Sequence, residues 1–137
     1  MTKIAEKYGD WMYVIFRVLV GAMLALHGAA KFGIASQMNV AGFASFAGIP
    51  VWLGYVVALT ELVGGVCSVL GLFTRWAAAA GAVVILCAWA MIHIKTGFNP
   101  LANGGEAAAL NFAAFMAAMK MGNGKMSLEQ GIFKKEY

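Results

Sequence analysis

The stretch VWLGYVVALTELVGGVCSVLGLFTRWAAAAGAVVILCAWAMIHI, residues 51–94, decides the fold. It holds two apolar segments, residues 51–73 and 76–94, which only Thr74 and Arg75 separate. A helix rises about 1.5 Å per residue and needs about 20 apolar residues to cross a bilayer, so both segments are long enough to span a membrane. Because the connection is so short, we predict that the two helices are antiparallel neighbours.

Two further apolar segments flank this pair, residues 11–34 before it and residues 104–121 after it. Hydrophobic residues make up 62% of the chain and charged residues 12%. Soluble domains have roughly 25% charged residues, so this chain has too few to cover a soluble surface. The sequence therefore predicts an all-α integral membrane protein, a single domain over residues 1–137 that forms a left-handed four-helix bundle in the lipid bilayer.

The distribution of basic residues predicts the orientation. Basic residues favour the cytoplasmic side of a membrane, and only Lys31 and Lys95 fall on the opposite side. We therefore predict a multi-pass protein of the cytoplasmic (inner) membrane with both termini cytoplasmic, and attribute the net charge of +4 to topology rather than to nucleic-acid binding. The length of the first apolar segment, and Arg17 within it, indicate a retained span rather than a cleaved signal peptide. The residues on the cytoplasmic side are Lys3, Lys7, Arg75, Lys120, Lys125, Lys134 and Lys135.

Charged residues inside the apolar segments are the first candidates for function, because a charge in the bilayer is costly unless it is paired or used. At helical spacing, one face of the first span carries Arg17, Gly21, Leu24, Gly28 and Lys31. Counting heights along the spans places Arg17 within reach of Glu61 on the second span, so we predict an ion pair. Two interpretations stay open: the pair fixes helix register, or it belongs to a proton or substrate path.

A second group of polar residues is predicted near the outer face. His27 and His93 lie at nearly the same height in their spans, and both can exchange protons near neutral pH. Three interpretations stay open: histidines bonded to loop carbonyls, a pocket for a quinone or another lipophilic molecule, and haem or metal ligation. Two histidines alone are a weak pattern for haem, and no metal site is predicted. The catalytic candidates are His27, His93, Glu61 and Arg17, and the ligand-binding candidates are Lys31, Lys95, Glu106 and Asn111.

The connections and small residues add three expectations. Apolar residues at helical spacing around Val40 and Ala47 predict a short interfacial helix before Pro50. The spacing of Cys67 and Cys87 fits neither a redox nor a zinc motif, so we expect small buried core residues; a disulfide or redox pair would require the two helices to touch at that height. A row of small residues predicts the packing face of the second span, namely Gly54, Ala58, Glu61, Gly65 and Ser68.

Several motifs in a fixed order resemble the DoxX family of membrane proteins. They are Arg17, HGAAKF at 27–32, GIP at 48–50, ELVGG at 61–65, LGLFTR at 70–75, His93 and GNGKMSLE at 122–129. In the last motif, Asn123 stands where the family usually has proline, and Glu129 where it usually has aspartate.

The resemblance implies a four-helix protein of the cytoplasmic membrane. The family is named for a subunit of an archaeal terminal quinol oxidase linked to thiosulfate:quinone oxidoreductase, and other members are tied to oxidative stress or thiol homeostasis. It therefore favours a small membrane protein of quinone-linked redox metabolism, an enzyme or an oxidoreductase subunit that works with a redox partner. The alternative is a non-enzymatic scaffold or assembly subunit, whose buried charges serve only helix packing and which docks a redox protein; the oligomeric state is left open.

Overall fold

All regular secondary structure in the part of the chain that the structure describes is helical. The structure is a computed structural model and describes residues 2–34 and 36–134. The helices in chain order are α1 (Thr2–Lys31), α2 (Val40–Ala47), α3 (Val51–Leu70), α4 (Thr74–Ala88), α5 (Glu106–Met121) and α6 (Leu128–Phe133). A π-helical turn (Trp89–His93) and a 3₁₀ turn (Ile94–Thr96) extend α4.

Three segments within the described residues are long and apolar enough to cross a membrane: Lys7–Lys31, Val51–Leu70 and Thr74–Thr96. The chain is therefore a multi-pass membrane protein. The predicted fourth span is the helix α5, whose 16 residues would cover about 24 Å, less than the roughly 30 Å of a hydrocarbon core. The four-helix transmembrane bundle thus remains a prediction.

Helices α1 and α3 are antiparallel and pack backbone against backbone. A Cβ added at Gly28 would lie 2.4 Å from the Leu62 nitrogen, and one at Gly65 would lie 2.3 Å from the Ala25 nitrogen. Only glycine permits such an approach, which is how helices associate in lipid. The predicted small-residue face of α3 is confirmed, since every member of it is buried.

The turn between α3 and α4 is as tight as predicted. Gly71, in the left-handed region at φ 68°, ends α3. The Gly71 amide donates to the Ser68 carbonyl and the Leu72 amide to the Cys67 carbonyl, a Schellman motif that satisfies the last carbonyls of the helix. Helix α4 starts at Thr74 and runs back along α3.

Helix α5 lies along α4, and α5 also touches α1. The hydrophobic core is small and lies where these helices meet, with Phe115 of α5 as its largest side chain. The other core residues are Leu24, Ala78, Ala82 and Ala118.

The predicted helix between the first two spans is confirmed as α2. Asn39 Oδ1 accepts a hydrogen bond from the Gly42 amide at the start of α2, and Gly48 ends it in the left-handed region. Helix α2 packs on α3, with Val40 and Ala44 against Gly54. It therefore covers part of α3 close to Glu61.

The two cysteines do not both lie in the core. Cys67 is half-buried and Cys87 is exposed, and both are free thiols. The expectation that both are buried core residues is wrong, because Cys87 lies on the face of α4 that borders an open groove rather than on the face packed against α5.

Candidate functional site

A buried ion pair joins the end of α1 to the middle of α3. Lys31 Nζ lies 2.5 Å from Glu61 Oε2, and their side chains are only 9% and 6% exposed. The same Nζ lies 3.5 Å from the His27 carbonyl oxygen and 4.6 Å from the centre of the Phe43 ring on α2. A carboxylate, a carbonyl and an aromatic face thus surround the ammonium, and each of them favours a positive charge.

The predicted ion pair between Arg17 and Glu61 is wrong. The Arg17 guanidinium donates instead to two backbone carbonyls of the segment after α5, that of Asn123 and that of Met126, the latter at 3.1 Å. Arg17 is 2% exposed, so these carbonyls hold a buried cation.

Helix register explains this correction. Gly21 of α1 packs against Ser68 of α3, and Arg17 lies one further turn towards the N-terminus. Because the helices are antiparallel, Arg17 reaches the end of α3, where it approaches Gly71. Heights counted from the first apolar residue of each span miss this register, since α1 begins well before its apolar segment.

The segment that holds Arg17 is itself anchored to the turn between α3 and α4. We call residues 122–129, docked on that turn, the tail seat. Asn123 Oδ1 accepts a hydrogen bond from the Thr74 amide at 3.0 Å, and Glu129 Oε2 accepts one from the Phe73 amide at 2.5 Å. Both bonds satisfy amides at the start of α4, and both side chains are fully buried.

Sequence reasoning missed the tail seat, because it treated residues 122–129 only as a family-like motif and placed Lys125 and the lysines after it on the cytoplasmic side. One local signal was available. Ser127 accepts a hydrogen bond from the Gln130 amide, so this Ser-x-x-Gln pattern marks the start of α6. No comparable signal marks Asn123 and Glu129 as buried.

The two histidines occupy different environments. His27 is exposed on α1 and lines a shallow cavity formed by neighbouring residues of that helix and Ile34. His93 is half-buried at the end of the π-helical turn and lines a cavity of about 420 Å³ together with Phe46 and Lys95. Because no residue lines both cavities, the structure does not join the two histidines in one pocket.

The other predicted ligand-binding residues are also separated. Lys95 is exposed beside His93, while Glu106 is exposed at the start of α5. Asn111 is half-buried and donates from Nδ2 to the Ala107 carbonyl within α5. Of the ligand-binding candidates, only Lys31 is deeply buried and paired.

An apolar groove of about 250 Å³ lies between α2, α3 and α4, and we call it the main groove. Its lining includes Phe43 of α2, Thr60 of α3, Cys87 of α4, and Met91 and Ile92 of the π-helical turn. Met91 and Ile92 also line the His93 cavity. The main groove and the His93 cavity are therefore neighbours that share these two lining residues.

The backbone at this junction is unusual. Met91, Ile92 and His93 all belong to the π-helical turn that ends α4. Single π-helical turns within α-helices occur frequently at functional sites. The described residues contain no cluster of three or more His, Cys, Asp or Glu side chains suited to a metal ion.

Sequence comparison agrees with this architecture. The chain matches the DoxX family over residues 12–94, which is more than half of its length. The protein belongs to the DoxX family. The match includes the ion pair, both histidines and the whole lining of the main groove, whereas the tail seat lies outside it.

Individual relatives extend the comparison. A Haemophilus influenzae protein described as "Uncharacterized protein" is 35% identical over 133 residues, covering 95% of this chain and 97% of that protein. A Bacillus subtilis protein named "Putative oxidoreductase CatD" is 32% identical over 85 residues, which is 62% of each chain. No solved structure matches the chain.

Proposed function

We propose that this protein is a membrane component of quinone-linked redox metabolism that binds a quinone in the main groove. The observation that carries the proposal is that the apolar main groove adjoins the His93 cavity, since Met91 and Ile92 line both. A ligand with an apolar tail and a polar ring suits such a site, since ligand sites combine an apolar lining with a few polar groups. The name of the Bacillus subtilis relative supports the redox class.

His93 is the residue that we propose contacts the ring. Its Nδ1 lies 3.1 Å from the Asn103 carbonyl oxygen, which can only accept, so Nδ1 carries a proton. In the neutral ring Nε2 then has a free lone pair and can accept a proton from a quinol hydroxyl. In the protonated ring Nε2 can donate a hydrogen bond to a quinone oxygen.

In this proposal the protein binds the quinone and handles the protons, while a redox partner exchanges the electrons. Oxidation of a quinol releases two electrons and two protons. His93 accepts the two protons one after the other at Nε2 as the two O–H bonds break, releasing the first to water before it takes the second, and the partner accepts both electrons. Lys95 and Thr96 line the same cavity and lead towards its exposed rim, where protons can pass to water.

Blocking the main groove tests the proposal. Val56 and Val63 both lie on α3 and are 50% and 56% exposed, but only Val56 lines the main groove. Val56→Trp should abolish binding of a decyl-benzoquinone to the protein in nanodiscs, and Val63→Trp should leave it unchanged. Equal binding by both variants would contradict this site.

The histidines provide a second test. His93→Asn should weaken quinone binding about tenfold, because it removes one hydrogen bond to the ring and the exchangeable proton. His27→Gln, at the exposed histidine outside the main groove, should bind quinone as the wild type does. A loss confined to His27→Gln would move the site to the opposite surface of α1.

A scaffold or assembly role is the second candidate, and the contacts of Arg17 favour it. This buried cation is held by backbone carbonyls of its own chain, so it serves packing. Recovery of a second protein at equal stoichiometry from native membranes, with no quinone in the lipid extract, would select this candidate.

The proposed orientation places both termini in the cytoplasm. Tyr13 of α1 donates to the Gly122 carbonyl at the end of α5, so the N-terminal part of α1 and the tail seat lie at one end of the molecule. Most basic residues lie at this end, which favours the cytoplasmic side of the inner membrane. A reporter that is active only in the cytoplasm, fused to the C-terminus, should be active; an inactive fusion at normal expression would reverse the orientation.

A further inference from the structure

Phe43 contacts both the main groove and the buried ion pair. Its ring lines the main groove on α2, and the ring centre lies 4.6 Å from Lys31 Nζ. Neither Lys31 nor Glu61 lines the main groove, although Thr60, the residue before Glu61, does. The groove therefore passes beside the pair, with the Phe43 ring next to the ammonium.

The ammonium has an incomplete set of hydrogen bonds. Of the three N–H groups of Lys31, one donates to Glu61 at 2.5 Å and one lies 3.5 Å from the His27 carbonyl. The remaining contact is with the face of Phe43, which attracts a cation but accepts no ordinary hydrogen bond. An oxygen atom of a ligand would be a better partner, since hydrogen bonds to charged groups are the strong ones.

Phe43 lies on the short helix α2, and its side chain has space to change rotamer. Helix α2 has only eight residues and is joined by connections at both ends. The Phe43 side chain is half-buried and borders the open space of the main groove, so a change of rotamer moves the ring towards that space. Such rotamer changes require no rearrangement of the transmembrane helices.

We propose that Phe43 is a gate between the main groove and the ion pair, and that Lys31 determines specificity for a lipophilic ligand carrying an oxygen acceptor. When the Phe43 ring turns aside, Lys31 donates a hydrogen bond to that oxygen while Glu61 keeps its charge balanced. The inference rests on the proposed binding of a quinone in the main groove, and it adds a second polar contact to that of His93.

Two probes with the same alkyl chain test the gate, a decyl-benzoquinone and decylbenzene, which lacks the oxygens. Their binding is measured by partitioning between nanodiscs with and without protein. The wild type should prefer the quinone. The double substitution K31M/E61M should reduce this preference about tenfold, equivalent to about 1.4 kcal/mol, without changing the binding of decylbenzene.

A second pair of variants covers the case in which K31M/E61M fails to fold. Phe43→Leu removes the ring beside Lys31 and should raise the preference for the quinone several-fold. Trp52→Leu, at an exposed aromatic residue of α3 that lines neither the main groove nor the His93 cavity, should leave the preference unchanged.

Each outcome has one meaning. If K31M/E61M or Phe43→Leu leaves the preference at the wild-type value, the gate is overturned. If the preference is then lost only in His93→Asn, the proposed function stands without the gate. If the wild type binds no quinone, the proposed function fails, and the gate fails with it.

Discussion

Helix α1 carries two buried cations, and the structure satisfies them differently. Lys31 lies beside the carboxylate of Glu61, and both side chains are less than a tenth exposed. Arg17, four turns earlier on the same helix face, donates only to backbone carbonyls of the tail seat in the contacts described. One cation therefore has a titratable partner, and the other has partners that never change charge.

The Lys31 site can therefore exchange a proton, whereas the Arg17 site can only hold two parts of the chain together. A guanidinium bound to carbonyls keeps its proton, so Arg17 can fix the tail seat but cannot exchange protons. An ammonium beside a carboxylate can share a proton, and this pair lies next to the main groove. The comparison points to a structural role at the Arg17 end, and it supports the proposal that the Lys31 end determines ligand specificity.

The largest expected effect is at the ion pair. Lys31→Met or Glu61→Met alone should destabilise the protein by about 3–5 kcal/mol, because each leaves an uncompensated buried charge. The free energy of unfolding of K31M/E61M should be much closer to that of the wild type. The measurement is the free energy of unfolding in mixed micelles, and losses that add in the double variant would show that the two residues are uncoupled.

A smaller effect is expected at Arg17. Arg17→Met removes charged hydrogen bonds to Asn123 and Met126 and should cost about 2–3 kcal/mol. It should also speed proteolysis of the tail after Met121. Arg75→Met is the matched control, since Arg75 also donates to two carbonyls but is half-exposed, so its loss should matter less. Equal effects would show that burial does not distinguish the two arginines.

Next in size is the hydrogen bond from the Thr74 amide to Asn123. Asn123→Ala should cost about 1–3 kcal/mol, because it leaves a buried amide without this acceptor. Asn103→Ala removes a similar bond to the Gly105 amide in a more exposed loop and should cost less. Thermal unfolding midpoints rank the two variants, and the reverse ranking would contradict the importance of the tail seat.

The smallest effect is expected at Lys125. Asp10 lies 2.6 Å away and raises the pKa of Lys125 above its ordinary 10.5 by a hydrogen bond and by charge. Any stabilisation by the Asp10–Lys125 pair is therefore complete below pH 10.5 and is lost as the pH rises above that value, where Lys125 loses its proton. Since the side chains are 75% and 54% exposed, Lys125→Gln should not shift the unfolding midpoint at neutral pH. A clear shift would mean that this pair anchors the tail seat.

What the sequence predicted well follows from helical periodicity. The face of α1 that contains Arg17, Gly21, Leu24, Gly28 and Lys31 is buried throughout, as is the small-residue face of α3. Which residues share a helix face depends only on the rotation of about 100° per residue, so the sequence alone is enough to predict it.

What the sequence missed depends on register and on distant contacts. The partner of Glu61 is Lys31 rather than Arg17, because glycine contacts between α1 and α3 set the offset of the helices. Glu129 is buried because the chain after α5 folds back onto the turn between α3 and α4. There Glu129 accepts a hydrogen bond from the Phe73 amide, more than 50 positions earlier in the sequence. Neither the offset between the helices nor this distant contact produces a periodic pattern in the sequence.

Photolabelling tests the central claim, that the main groove binds a quinone, most directly. An azido-quinone is activated in native membranes that contain the protein, and the labelled peptides are identified by mass spectrometry. The account predicts label on the π-helical turn at Met91 and Ile92 and on α2 near Phe43, with competition by unlabelled quinone. Label spread over the lipid-exposed residues around His27, or label that unlabelled quinone does not displace, would contradict it.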